Sequence, residues 1–140
     1  TRFRPVAFER QRQASARDMI WVTGNHDPSP PEGVPGVSVE MLAFGQTIFR
    51  HIAERDETGH EVSGHLHPCA RLAREGRAVR RACFASDGVR LVMPSFGVFT
   101  GGLNVRDEAY AGLFHAATFR AYMLGSDRVH AVGPRDLYGD

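Results

Sequence analysis

Lysine is missing from this chain: all 17 basic residues are arginine. Long apolar runs are missing too, which excludes a helix able to cross a bilayer and leaves no expected membrane partner. There are 2 cysteines, Cys69 and Cys83, and neither belongs to a Cys-x-x-Cys pair. That excludes a disulfide framework, so reduced thiols in a cytoplasmic protein are expected. Charge of one sign is also scarce. A formal net charge of +1 removes any whole-molecule electrostatic argument for nucleic acid. No signal peptide, transit peptide, lipidation motif, internal repeat or low-complexity tract is visible. What is present is 140 residues of ordinary globular composition, enough for one compact domain and not for two. Arginine suits bidentate phosphate contacts. Its exclusive use also fits a composition bias shared with the abundant Ala and Gly.

Val6 to Arg17, rich in Gln, Arg and Ala, reads as a helix. The apolar run Met19-Ile20-Trp21-Val22, closed by Thr23, reads as a buried strand. Asp27 to Gly36 contains four prolines and is expected to be an irregular loop. Val37 to Leu42 and Thr47 to His51 read as strands, and Glu61-Val62-Ser63 as a short one. Cys69 to Arg74 and Ala78 to Ala85 are expected to form a hairpin turning at Glu75-Gly76, with Val89 to Met93 the next strand. Pro94 to Asn104 is a Gly-rich loop. Asp107 to Phe114 predicts a short helix capped by Asp107. Arg120 to Leu124 and Arg128 to Val132 close the chain as a second hairpin around Gly125-Ser126-Asp127.

Two tetrapeptides carry the chemistry: Gly24-Asn25-His26-Asp27 and Gly64-His65-Leu66-His67. Each opens on a glycine that allows a sharp turn, and the first follows a buried strand. Its polar residues therefore emerge at a strand's carboxyl end, where open α/β sheets bind ligands. In an extended segment, His65 and His67 project to the same side, so two imidazoles could meet one ion or a pair of ions. The alternative is a pair of surface histidines in a turn. Asn25 is a neutral oxygen donor of the sort that holds divalent ions. His26, adjacent in sequence, is free to act as a general acid or to stabilise charge on a leaving oxygen. Asp27 can support the turn. His51 ends another strand and can supply a third imidazole. His60, His115 and His130 lack such context and are expected to be structural or exposed.

The series Gly24-Asn25-His26-Asp27, His51 and Gly64-His65-Leu66-His67 resembles the later motifs of the calcineurin-like metallophosphoesterases. The resemblance implies an α/β fold, a layered αββα sandwich with mixed sheets. It also implies a binuclear centre in which Asn25, His51 and His65 hold one ion and His67 helps to hold its neighbour. His26 would then be the catalytic histidine near the leaving group. Two divalent ions are implied, Mn²⁺ first, with Fe or Zn compatible with the same ligands. The segments Arg81-Ala82-Cys83-Phe84, Leu91-Val92-Met93-Pro94-Ser95-Phe96-Gly97 and Thr100-Gly101-Gly102-Leu103-Asn104-Val105 are similar to a narrower bacterial subfamily. These are the ligase-associated DNA damage response endonucleases, which implies DNA as substrate and a DNA ligase and a helicase as partners. The family's earlier Asp-x-His and Gly-Asp-x-x-Asp motifs have no counterpart before Gly24, and the chain starts at Thr1 without an initiator Met. Residues 1–140 are therefore expected to be the carboxyl-terminal part of a single domain, weakly active or inactive alone.

Arg71, Arg74, Arg77, Arg80 and Arg81 crowd into the predicted hairpin, and Arg80 and Arg81 are candidates to grip a DNA backbone. A solvated hairpin of arginine-biased composition is the alternative. Phe96 and Phe99 could stack on unpaired bases, although core positions beneath a tight loop are the favoured expectation. The resulting expectation is a metal-dependent phosphodiesterase, a DNA-repair nuclease. A small-molecule phosphatase or nucleotide phosphodiesterase is the alternative within the same chemistry. From a different class comes a metal-bound scaffold that cleaves nothing.

Overall fold

The computed structural model describes residues 19–25, 29–30, 32–97 and 101–140. Strands dominate them. β1 (Ile20–Val22) and β2 (Val37–Val39) pair in parallel as a small sheet of their own. The remaining strands are β3 (Met41–Phe44), β4 (Thr47–Arg50), β5 (His60–Ser63), β6 (Pro68–Arg74), β7 (Arg77–Ser86), β8 (Arg90–Val92), β9 (Leu103–Asn104), β10 (Arg120–Leu124) and β11 (Val129–Val132). They form a nine-stranded network ordered β11-β10-β7-β8-β5-β4-β3, with β6 on β7 and β9 on β6. β5 runs parallel to both β4 and β8, and β9 parallel to β6, while the other pairs of this network are antiparallel. This is a mixed sheet of α/β type, and parallel neighbours bring their carboxyl ends to one edge.

β7 is the organiser. Its first half pairs with β6 (Arg80 opposite Arg71, Ala82 opposite Cys69), and its second half pairs with β10 (Cys83 opposite Met123, Ala85 opposite Ala121). Alternation along a strand places Cys83 and Ala85 on one face, where both are buried, and Phe84 on the other, where it is half-buried. The buried face joins Ala70, Val92, Val105, Phe119, Ala121, Met123 and Leu137 in the core. Both cysteines are buried and free, as the sequence leads one to expect. Burial pushes the Cys83 thiol up to about 12, so it is unreactive at neutral pH.

The hairpin turns at Glu75-Gly76 as expected, with both residues at positive φ (52° and 75°). That is the conformation a two-residue type I′ loop requires. The second hairpin, β10–β11, also forms where expected. β1 forms where expected but is not buried, Ile20 being 47 % exposed. Three further expectations change. The Val37 to Leu42 run breaks at Glu40, because β2 pairs with β1 while β3 pairs with β4. Asp107 does cap, accepting from Ala109 N–H at 2.9 Å, but the helix is a single 3-10 turn, Glu108–Tyr110. Positive φ at Gly112 (73°) redirects the chain before a longer helix can grow. The Gly-rich loop ends in β9, which pairs Leu103 with Pro68 in a contact no local pattern announces. The helix expected over Val6 to Arg17 lies outside the described residues. The described helical pieces are 3-10 turns, here and at Pro134–Asp136, and none is long and apolar enough to cross a membrane.

Buried charge lies below the sheet's carboxyl edge. Glu61 is 1 % exposed and Arg90 5 % exposed; they are register partners on β5 and β8, paired at 3.4 Å. Asp87, in the turn leading to β8, accepts the backbone N–H groups of Val89 (3.0 Å), Arg90 (2.8 Å) and His115 (2.9 Å). Burial acts to raise its pKa, but these donors outweigh burial and hold it below the ordinary carboxylate value. A carboxyl depressed in this way contributes stability above its unfolded pKa and loses it as pH falls through the folded one. Urea unfolding is therefore expected to show stability dropping as pH falls below about 4, with a shallower drop in Asp87→Asn. An equally steep drop in the variant would assign the effect to another group.

Candidate metal centre at the strand carboxyl ends

β1 runs out through Thr23, whose N–H donates to Val39 O at 2.9 Å, and then through Gly24 to Asn25. β4 runs out directly into His51. β5 ends at Ser63 and delivers Gly64 and His65, both of whose N–H groups donate to His51 O (3.1 and 2.9 Å). The His51 and His65 backbones are thus tied together, and their rings meet edge to face with centroids 4.9 Å apart. Gly24 is needed for close approach: a Cβ there would stand 2.7 Å from His51 Nδ1.

The polar atoms converge on His51 Nε2. It lies 2.5 Å from Asn25 Oδ1 and 3.1 Å from His65 Nδ1. In any one tautomer a ring nitrogen either donates or accepts, so it cannot do both for two neighbours. A divalent cation shared by the three would satisfy a lone pair on each. One amide oxygen and two imidazole nitrogens form a neutral, mixed donor set suited to a borderline ion. Among the described residues no cluster of three or more His, Cys, Asp and Glu is placed to hold a metal. The three converging donors, an amide and two imidazoles, carry no negative charge of their own.

The structure brings together Asn25, His51 and His65, but His67 is presented differently from expectation. Residues 64–67 form a turn, with His67 N–H donating to Gly64 O at 3.0 Å, instead of an extended segment. The side-by-side argument for His65 and His67 therefore does not apply. His67 adopts φ 46°, sparsely populated by non-glycine residues, and its carbonyl accepts Leu103 N–H at 3.0 Å. The reason is topological: β6 must leave β5 to pair with β7 and β9. His26 and Asp27 lie outside the described residues. His60, His115 and His130 are exposed.

Arg80 and Arg81 stand on β7. Arg80 contacts Asp140 (Nε to Oδ1, 3.2 Å) and donates from Nη2 to Gly102 O at 2.6 Å. Asn104 Nδ2 donates to the same Asp140 Oδ1 at 3.2 Å. The Arg80 side chain holds the exposed Asp140 carboxyl below its ordinary pKa. Arg81 is exposed and donates to Arg80 O at 3.2 Å. The core placement expected for Phe96 is wrong: it is 79 % exposed, and Phe99 lies outside the described residues. Sequence reasoning also missed Asn104 and Asp140, which meet across 36 residues and carry no local signal.

A mixed sheet with a polar cluster at its parallel-strand ends defines an α/β-type fold. The chain is similar in structure to a solved protein, the nuclease MPE of Pseudomonas putida. The TM-score is 0.63 at 23% identity, over 89% of this chain and 58% of that one. At that identity the likeness is one of fold, and this chain spans less than two thirds of the nuclease's length. No protein-family model and no curated protein matches the chain.

Gly24→Ala is expected to push the His51 ring off its position, since its Cβ would fall inside contact distance of the imidazole. Isothermal titration should show Mn²⁺ affinity reduced about tenfold, the loss typical of disturbing a ligand's orientation. Unchanged affinity would remove His51 from the donor set.

Proposed function

We propose that this chain carries part of the metal centre of a layered αββα metallophosphoesterase that hydrolyses phosphodiester bonds in DNA. One observation carries the reading: Asn25 Oδ1, His51 Nε2 and His65 Nδ1, from three strand ends, converge within 3.1 Å of the central nitrogen. The fold shared with a nuclease directs it toward nucleic acid. Asn25, His51 and His65 would hold one divalent ion, Mn²⁺ by donor type, with His67 assigned to a second. A divalent ion there supplies Lewis acidity, polarising a phosphoryl oxygen and making water acidic at neutral pH.

The chain's own residues do the rest. The two imidazoles act as ligands in their neutral form and keep the centre's positive charge undiluted for a phosphate. His26, adjacent to Asn25, is assigned the proton for the departing oxygen. Arg81 offers an exposed guanidinium to the backbone, and Arg80 can exchange one oxyanion, Asp140, for another.

The test is Mn²⁺-dependent cleavage of labelled single-stranded and flapped DNA by the protein encoded in the whole reading frame, with p-nitrophenyl phosphate in parallel. DNA cleavage that disappears in His26→Ala supports the reading. Hydrolysis of the small ester alone transfers it to a phosphatase. Metal binding with no turnover leaves a scaffold within a DNA-repair complex. Arg80→Ala with Arg81→Ala is expected to weaken DNA binding and to lower the slope of log affinity against log salt by about 1 to 2. An unchanged slope would take the hairpin out of the interface.

A further inference from the structure

We infer that Phe96 is a stacking platform for an unpaired nucleobase at the rim of the metal centre; this rests on the nucleic-acid reading above. The position is set by the backbone. Met93 N–H donates to Ser63 O at 2.8 Å, so the loop carrying Phe96 leaves the sheet beside the step that delivers Gly64 and His65. Phe96 is three residues beyond Met93, a reach of at most ~11 Å. Ser95 Oγ accepts Gly97 N–H at 3.1 Å, which bends the loop at this point.

The ring itself is placed outward. At 79 % it is the most exposed large apolar side chain among the described residues, yet it is not loose. Its ring meets Phe84 edge to face, with centroids 6.5 Å apart and planes at 62°. Phe84 lies directly opposite Tyr122 on β10, itself 38 % exposed. A ring supported from one side offers a π-face to solvent, and every base has a π-face to set against it. Arg80 shares the Phe84 face of β7, four residues away, or ~13 Å along the strand. Arginine and aromatic side chains on one face, beside a candidate hydrolytic centre, fit a single strand, with phosphates on arginine and bases on rings. A fully paired duplex hides its base faces and gains nothing from Phe96.

The experiment is fluorescence anisotropy of the whole chain with a labelled oligothymidylate and with a labelled duplex, without added metal. Phe96→Ala is expected to weaken single-strand binding about tenfold and leave duplex binding unchanged, the loss of one stacked base. Phe96→Trp should restore binding, with the new indole's fluorescence quenched on addition of the single strand. Phe96→Leu keeps apolar bulk without a π-face and should behave like alanine, so a folding defect in Phe96→Ala does not blur the result. The assignment is overturned by equal losses on both ligands, by no loss, or by wild-type binding in Phe96→Leu. If wild type binds neither nucleic acid, the nucleic-acid reading falls and takes this one with it. Wild-type binding that is insensitive to Phe96 removes only the platform.

Discussion

His65→Ala is expected to lower Mn²⁺ affinity by about a hundredfold or more, and to bring metal-dependent phosphodiester cleavage by the protein of the whole reading frame to background. Disturbing groups that merely orient a ligand costs about 10- to 100-fold, and a donor atom itself counts for at least as much. Here the loss is concentrated, because among the described residues three donors converge and none of them is anionic. The backbone argument predicts that the variant stays folded. His65 is tied to His51 through its main-chain N–H, at 2.9 Å, and alanine keeps that bond. His60→Ala, at an exposed strand position, is the matched control and should titrate like wild type. Mn²⁺ affinity that survives in His65→Ala would show that the three atoms converge for another reason. His65 would then be a turn histidine, the alternative its sequence context already allowed.

Arg90→Ala is expected to destabilise the fold by about 3–5 kcal/mol, measured by urea unfolding at neutral pH. The guanidinium holds several elements at once. It donates to Leu113 O at 2.8 Å, Glu54 O at 2.5 Å and Glu57 O at 3.2 Å, and it pairs with Glu61 at 3.4 Å. Removing it leaves a fully buried carboxylate without its cation and the Leu113 and Glu57 carbonyls without a donor, while Glu54 O keeps the Glu57 N–H. That asymmetry makes breaking a buried pair expensive even where the intact pair is worth little. The same loop, Glu54 to Glu57, is gripped by Arg50, which pairs with Glu57 at 2.9 Å and also with Glu54. Arg50 directly precedes His51, so loosening the loop should also weaken metal binding. Arg90→Lys should recover only part of the loss, since a single ammonium cannot reproduce a fork aimed at separate carbonyls. Glu61→Gln, which keeps the Glu54 N–H acceptor, should cost less than Arg90→Ala. A loss under about 1 kcal/mol in Arg90→Ala would mean that water replaces the guanidinium.

Much of the strand pattern was legible in the residues. β1, β4, β5, β8 and both hairpins lie within a residue or two of the expected spans, because period-2 apolarity and turn residues are local signals. Glu75-Gly76 was legible for the same reason. The break at Glu40 was not, since Val37 to Leu42 alternates without interruption and only the identity of the neighbouring strand changes. β9 was illegible because two residues carry no period. Of the candidate site, Asn25, His51 and His65 were legible as residue types at strand ends. Their meeting was expected from the family resemblance alone; local pattern did not carry it, for it depends on parallel β4 and β5 ending at the same edge.

Phe96 shows the limit most plainly. A phenylalanine between Ser95 and Gly97 carries the same local signal whether it faces the core or solvent. The choice was made by Phe84 beneath it and by the loop's anchor on Ser63. Where the chain is extended, where it turns, and which donors stand just past strand ends follow from neighbours a few residues away, and so were written in the residues. That β7 serves two partners, that His67 leaves an extended path, and that Glu61 finds Arg90 came from the assembled sheet. Each of these is a pairing between distant segments, and a pairing is selected by what the whole sheet can bury and hydrogen-bond at once.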